Sequence, residues 1–322
     1  LQYVEVTKDE LIYKNIMIYM DIAGILRNPR QTDFSLKVGR GSEEEFLADV
    51  MKDESRAVTL YQIYTYKTQI AYLFGRPEEA IRCAELGKAY EGFAVQSPHL
   101  PVQYFYEALA LAESLRGMPK DGRPAERKRR LLDIVRRFHL WARMAEANFL
   151  YKFLLLQAEW LTLGGPENEI IDLYDRSIEL ARASGYPQYL AAACERAARH
   201  HLAKGRRRVA QGYMLEADEA YGDWGVEAKR TKLREEFPEW FRPAAAASSG
   251  EAAAEGTEER NLKPQGKDET NVMQVMKDSL VFAPDMNLRD MMRRLIERVV
   301  QAADIEYGCL IRQRGGESGR AH

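Results

Sequence analysis

Three glycines, Gly75, Gly165 and Gly205, occupy the same place in three copies of one spacing, and this constrains the chain more than any other feature. The copies are YLFGRPEEAIRCAELG, LTLGGPENEIIDLYDRS and LAKGRRRVAQGYMLEA. Five residues after each glycine stand Ala80, Ile170 and Ala210; nine after, Ala84, Tyr174 and Met214; twelve after, Gly87, Ser177 and Ala217. Seven before stand Thr68, Ala158 and Ala198. A glycine permits the tight turn between two antiparallel helices, and small side chains on either side of it allow those helices to cross closely. A hairpin of this kind cannot bury its apolar face alone, so several must stack.

The rest of residues 1–241 fits that reading. Ala, Leu, Glu, Arg and Lys dominate, all strong helix formers. No alternating β-branched run bounded by turn signals is present. The spacing resembles that of the tetratricopeptide repeat, and the fold expected for 1–241 is an all-α, degenerate TPR-like helical-repeat solenoid. Its framework residues are Gly75, Ala80, Ala158, Gly165, Tyr174, Ala198, Gly205, Ala210 and Ala217. A fourth helix pair is predicted at 102–115 and 125–144, joined by the longer turn RGMPKDGRP. Pair starts near 57, 102, 148 and 188 are wider apart than the roughly 34 residues of a standard repeat. Trp224 and Gly225 are expected to turn the chain after the last pair, with the indole over the open end of the stack.

Residues 242–271 contain one leucine and no aromatic residue among many Ala, Gly, Ser and Glu, which predicts a disordered linker. Beyond it, 272–283 and 287–303 carry helical periodicity, and Tyr307–Ile311 could begin a strand. The pattern is expected to continue past both ends of the chain, as in a segment of a larger protein.

Several stretches are similar to the helical region of very large sensor kinases. They are GRGSEEEFLADV (39–50), YLFGRPEEAI (72–81), FYEALALAE (105–113), WARMAEANFLYKFLLLQAEW (141–160), LYDRSIELAR (173–182) and YMLEADEAYGDWGVEAKRTKLREEFPE (213–239). Such proteins join a serine/threonine-kinase-like domain, an AAA-type ATPase module, a TPR-like stretch, a GAF domain and often a histidine kinase with a receiver. The resemblance covers roughly 35–241 and more weakly 272–314. It implies that 272–322 is a helical lead-in and truncated start of a GAF-like domain. It also implies a non-catalytic interaction and signal-relay scaffold within a two-component signalling kinase; the alternative is a free-standing TPR-like adaptor that binds a peptide or regulatory protein.

The candidate chemistry is sparse. Gly39-Arg40-Gly41 lacks the third glycine of a dinucleotide loop and follows no strand, and no P-loop occurs. Ser42 and Glu45 instead predict a helix-starting capping box. His200 and His201 are adjacent, so they point about 100° apart on a helix and make a poor metal pair. His139 is followed by Leu140 and Trp141, unlike a phosphoacceptor histidine. No catalytic residue, metal site or cofactor is expected, and the chain is read as having no enzymatic activity of its own. Arg127, Lys128, Arg129 and Arg130, within a cluster running from Arg123 to Arg137, are the candidates for contact with an acidic partner; Lys204 and Arg206–Arg208 form a second group. A net charge of -2 argues against nucleic acid or an anionic membrane as partner. The expected partner is a protein, a peptide or an adjacent domain. Three scattered cysteines, Cys83, Cys194 and Cys309, point to a reducing cytoplasm.

Overall fold

The computed structural model describes residues 10–30, 35–36, 42–52, 56–95 and 97–241, and the chain is all-α over that region, with no strand among the described residues. The linker, the two later amphipathic segments, Tyr307–Ile311, Gly39-Arg40-Gly41 and Cys309 lie outside it. Two helices come first, α1 (Glu10–Arg27) and α2 (Glu43–Met51). The second starts as its sequence predicts. Ser42 Oγ accepts from the Glu45 amide at 3.2 Å, and the Ser42 amide donates back to Glu45 Oε2 at 3.0 Å, so two of the free amides at the helix start are satisfied reciprocally.

Four helical hairpins follow. They are α3 (Ala57–Leu73) with α4 (Pro77–Gly87), α5 (His99–Arg116) with α6 (Ala125–Met144), α7 (Glu146–Leu161) with α8 (Glu167–Ala183), and α9 (Pro187–Ala203) with α10 (Arg207–Trp224). A last helix, α11 (Glu227–Glu236), ends the described region. The predicted second pair is present and begins three residues earlier than its periodicity indicated. Its long turn holds one 3-10 turn, Lys120–Gly122.

Burial divides the hairpins into two layers. The first helices α3, α5 and α9 bury most of their residues, and α7 buries residues only from Tyr151 onward; in α3 only Val58, Gln62, Tyr66 and Lys67 escape full burial. The second helices bury one stripe. In α6 it runs Leu131, Ile134, Val135, Phe138 and Ala142, the spacing of a helix with one face on a core and one in water. The positions flanking the anchor glycines are buried, including Thr68, Ala158, Ala198, Ala80, Ala210, Tyr174 and Ala217, whereas Gly75 and Gly205 are exposed and Gly165 is half-buried. At Gly87, a methyl group would stand 3.2 Å from Tyr64 Cβ, so α4 and α3 meet there almost backbone to backbone.

The three anchor glycines serve two different purposes. Gly75 (φ +71°) and Gly205 (φ +74°) are left-handed. Each closes its helix with paired bonds: the Gly75 amide donates to Tyr72 O and the Arg76 amide to Ala71 O, and Gly205 and Arg206 repeat this on Leu202 O and His201 O. This satisfies carbonyls that the helix end leaves open. Gly165 has no such backbone. A Cβ there would lie 2.8 Å from Leu161 Cβ and Cδ2, so glycine is required for space, not for conformation.

Gly225 (φ +80°) also ends its helix left-handed, and the chain turns there as expected. Trp224 packs against the core beside this turn. Its ring is half-buried and stacks on Tyr221 at 6.2 Å. In α11 and just after it, Leu233, Phe237 and Trp240 are all buried. This last helix also packs against α1, and Lys232 Nζ donates to Phe74 O at the first hairpin turn. The last helix therefore returns to the first elements.

Replacing Gly205 or Gly75 by alanine forces a left-handed L-residue and is expected to cost about 1–2 kcal/mol each. Gly165→Ala is expected to be at least as destabilising, through collision with Leu161. Urea unfolding of the three variants checks this; a neutral Gly165→Ala would contradict the packing described.

Candidate functional site

The basic cluster at the start of α6 resolves into two roles. Arg127 and Arg130 are three residues apart, on one face, and that face looks inward. Arg127 donates to both Glu78 oxygens at 2.8 Å and to Ser114 Oγ at 2.6 Å, tying α6 to α4 and α5. Arg130 grips Glu107 through two bonds of 2.7 Å and lies over the Tyr104 ring at 5.0 Å. The cations of this pair sit in the first two turns of a helix, where the dipole disfavours them, so their partners compensate a local penalty. Lys128 and Arg129 form no ion pair among the described residues. Arg129 is exposed and Lys128 half-exposed. Of the four candidates, these two are left to meet a partner. In the second group, Lys204 and Arg206 bind Glu167, and Arg207 pairs with Glu239.

The repeat pattern gave no hint of the chain of buried charges along the first helices. Glu159 of α7 has no exposure at all. It accepts from Arg116 of α5 at 2.5 Å, from Arg196 of α9 at 3.1 Å and from Tyr174 OH of α8 at 2.6 Å. Arg196 also reaches Glu113 of α5 at 3.2 Å, so one guanidinium joins three hairpins. One helical step from Arg196, Glu195 accepts from Lys229 of α11 at 2.9 Å, from Tyr221 OH at 2.7 Å and from Arg199 at 2.9 Å. Burial pushes Glu159 upward, but Arg116 and Arg196 reverse this and hold it at about 2. Lys229 is lowered by burial against the pull of Glu195. A sequence signal existed: charged residues at positions of the first helices that the apolar pattern assigns to the interior.

Beside this network lies a cavity of about 670 Å³ at the turn end of the stack. The end of α5 contributes Glu113 and Arg116, and the loop after it Lys120 and Arg123. The α7–α8 turn contributes Gly164, Gly165 and Glu167. The last turns of α9 contribute Arg196, Arg199, His200 and Lys204. Glu167 is raised by burial but held at about 2 by Lys204, His200 and Arg206. The His200 Nε2 lies 3.0 Å from Glu167 Oε1; the carboxylate can only accept, so that nitrogen carries the proton. Burial lowers His200 and His201, and His201 stacks on Tyr213 at 5.5 Å. The two histidines thus have separate partners, and no cluster suited to a metal ion occurs among the described residues. His139 is exposed and stacks on Phe153 at 4.9 Å. Cys83 and Cys194 are buried free thiols.

The aromatic residues of the first helices, with Trp141 of α6, are core or partly buried against it. Tyr61, Tyr64, Tyr72, Tyr104, Phe105, Tyr106 and Tyr151 are buried, and Tyr66, Trp141, Phe149, Phe153 and Trp160 pack on them. Phe105 of α5 meets Tyr189 of α9 edge-on at 5.2 Å. No helix among the described residues is long and apolar enough to cross a membrane. No protein-family model matches the chain, and no curated protein and no solved structure matches it.

Arg130→Ala removes both bonds to a nearly buried Glu107 and is expected to destabilise the fold by about 2–3 kcal/mol. Arg129→Ala should stay within about 0.5 kcal/mol of the parent chain. Thermal melts of the two variants side by side separate the structural face from the free one.

The ion network also sets an acid limit. The folded Glu159 titrates below its ordinary 4.5, so the unfolded chain binds more protons between about pH 4.5 and pH 2, and stability falls as pH drops through that window. Its contribution near neutrality is on the order of 3 kcal/mol. Glu159→Gln should be destabilised at pH 7, and the gap to the parent chain should narrow on acidification. Urea midpoints measured at pH 7 and pH 3 test this; a constant gap would show that the charge is not what matters at this position.

Proposed function

We propose that the chain is a non-catalytic interaction and relay module, a TPR-like helical-repeat scaffold of a larger signalling kinase. The observation that carries the reading is the recurrence of one pattern of buried positions around the turn glycines. In three copies, the residues seven before and five, nine and twelve after the turn glycine are all buried at hairpin contacts. Stacked hairpins of this kind interact chiefly with their neighbours and offer extended surfaces to other proteins. The resemblance of 35–241 to the helical region of large sensor kinases supports the same reading. It further supports a GAF-like start in 272–322 and partners that are proteins or adjacent domains. The buried ion network suits a relay. Arg196 holds Glu113 and Glu159 on separate hairpins, so a shift of one hairpin must break charge pairs at the next.

A second reading, a free-standing adaptor in the cytoplasm, is favoured by exposed apolar side chains. Leu140 and Met144 lie on the outer face of α6, and Met144 is 84% exposed. Nearby, Leu150, Tyr151 and Leu180 wall a cavity of about 420 Å³. Exposed apolar surface of this type commonly marks a protein contact.

Reading the complete open reading frame decides between them. The relay proposal expects kinase or ATPase sequence on at least one side of this segment. Stop codons directly flanking it would overturn the relay and leave the adaptor.

A further inference from the structure

We infer that the outward face of α6, with the cavity next to its C-terminal end, docks an acidic amphipathic segment of another protein. The inference rests on the reading of the chain as a protein-interaction module, and it names the chemistry of the partner.

The inward stripe of α6 is Leu131, Ile134, Val135, Phe138 and Ala142. On the opposite side stand Arg129, Asp133, Arg136, Leu140, Arg143 and Met144, all exposed, at the three- and four-residue steps that keep side chains on one helical face. Leu140 and Met144 are one turn apart, so their side chains adjoin. They are 59% and 84% exposed. A single exposed leucine is ordinary; an adjoining apolar pair beside a cavity marks a contact surface. Glu146 belongs to the wall of the 420 Å³ cavity and follows Met144 by two residues, so their Cα atoms are at most about 7 Å apart. Leu150, Leu180 and Ala183 supply apolar wall on its far side.

Charge selects the occupant. The face carries three arginines and one carboxylate, in a chain of net charge -2. Arg136 approaches Asp133 only to 3.8 Å, with both side chains largely in water, and such a pair contributes little. Arg129 and Arg143 form no ion pair among the described residues. Arg143 stands in the last turn, where the helix dipole favours a cation, but Arg129 and Arg136 lie outside that turn. A partner segment with carboxylates flanking an apolar stripe satisfies both features. Its carboxylates meet the arginine forks, and its apolar side chains cover Leu140 and Met144 and enter the cavity.

Other occupants fit less well. A second copy related by a two-fold axis brings the same basic face against itself. Nucleic acid answers the arginines but leaves Leu140, Met144 and the apolar wall uncovered. A bilayer surface is flat on this scale and leaves the cavity empty.

Fluorescence anisotropy of two labelled synthetic helices of about five turns, titrated with the whole chain, tests the surface. One helix has leucines at three- and four-residue steps with glutamates on either flank; the other has lysine in place of every glutamate. The acidic helix is expected to bind, more weakly as salt is added, and the basic one is not. Arg136→Glu with Arg143→Glu should weaken the acidic helix at least about tenfold and admit the basic one. Leu140→Ala with Met144→Ala should weaken it about tenfold. All four side chains are exposed, so thermal melts should show the fold intact. Arg208→Glu, on the exposed face of α10, should leave binding unchanged. Failure of the acidic helix to bind, equal affinity for both helices, unchanged binding in both double variants, or an equal loss in the α10 control would overturn the proposal. Tighter capture of RNA or of anionic vesicles, or self-association that displaces the helix, would overturn the acidic-protein reading. None of these outcomes depends on what flanks the segment in its gene, so this proposal and the relay reading fail separately.

Discussion

A carboxylate with no access to water can exist in a folded chain only if the charges around it are held in place. Glu159 is such a group, and two guanidiniums and one phenol hold it. Those donors come from α5, α8 and α9, so the group is stable only when three hairpins are correctly placed. Taking charges out of water costs several kcal/mol per ion, and apolar side chains of the same size would be at least as stabilising. The network is better understood as a constraint on register. Any slip of one hairpin strands a buried charge, so alternative packings are penalised more than the native one is favoured. Glu195 with Lys229 repeats the device one step along α9 and recruits the last helix.

The small residues of the repeat make this possible. Ala158 and Ala198 are fully buried on α7 and α9, which carry the central pair: Glu159 directly follows Ala158, and Arg196 stands two residues before Ala198. Close helix approach and ion pairing are therefore coupled: the alanine admits the neighbouring helix, and the nearby charge then finds its partner. Larger side chains at these positions would separate the helices and leave the charges desolvated but apart.

Closure of the stack follows from the same arrangement. Most residues of α3, α5 and α9 are buried, and Tyr72, Phe105, Tyr106 and Tyr189 lie in the core. The last helix meets the first at α1 and at the Phe74 carbonyl. What remains open lies at the turn end, where the last turns of α5 and α9 and the α7–α8 turn line the cavity and most of its cations are paired with Glu113, Glu159, Glu167, Glu195 or Glu236.

The sequence alone determined the helical class, the four hairpins and the residues between them. Periodicity and glycine spacing are local properties, governed by the 3.6-residue turn and by which backbone a turn demands. The capping box at Ser42 and Glu45 was legible for the same reason. Only the tertiary structure decided that Gly165 is needed for space and Gly205 for conformation, since both look identical in a pattern. It also separated Arg127 and Arg130 from Lys128 and Arg129, and it buried Leu233, Phe237 and Trp240 of the last helix and the residues after it. Charged residues at interior positions were visible in the sequence, but their pairing and the cavity were not, because they join residues as far apart as Glu113 and Arg196. Such pairings depend on how hairpins cross in space, and no spacing along the chain encodes that distance.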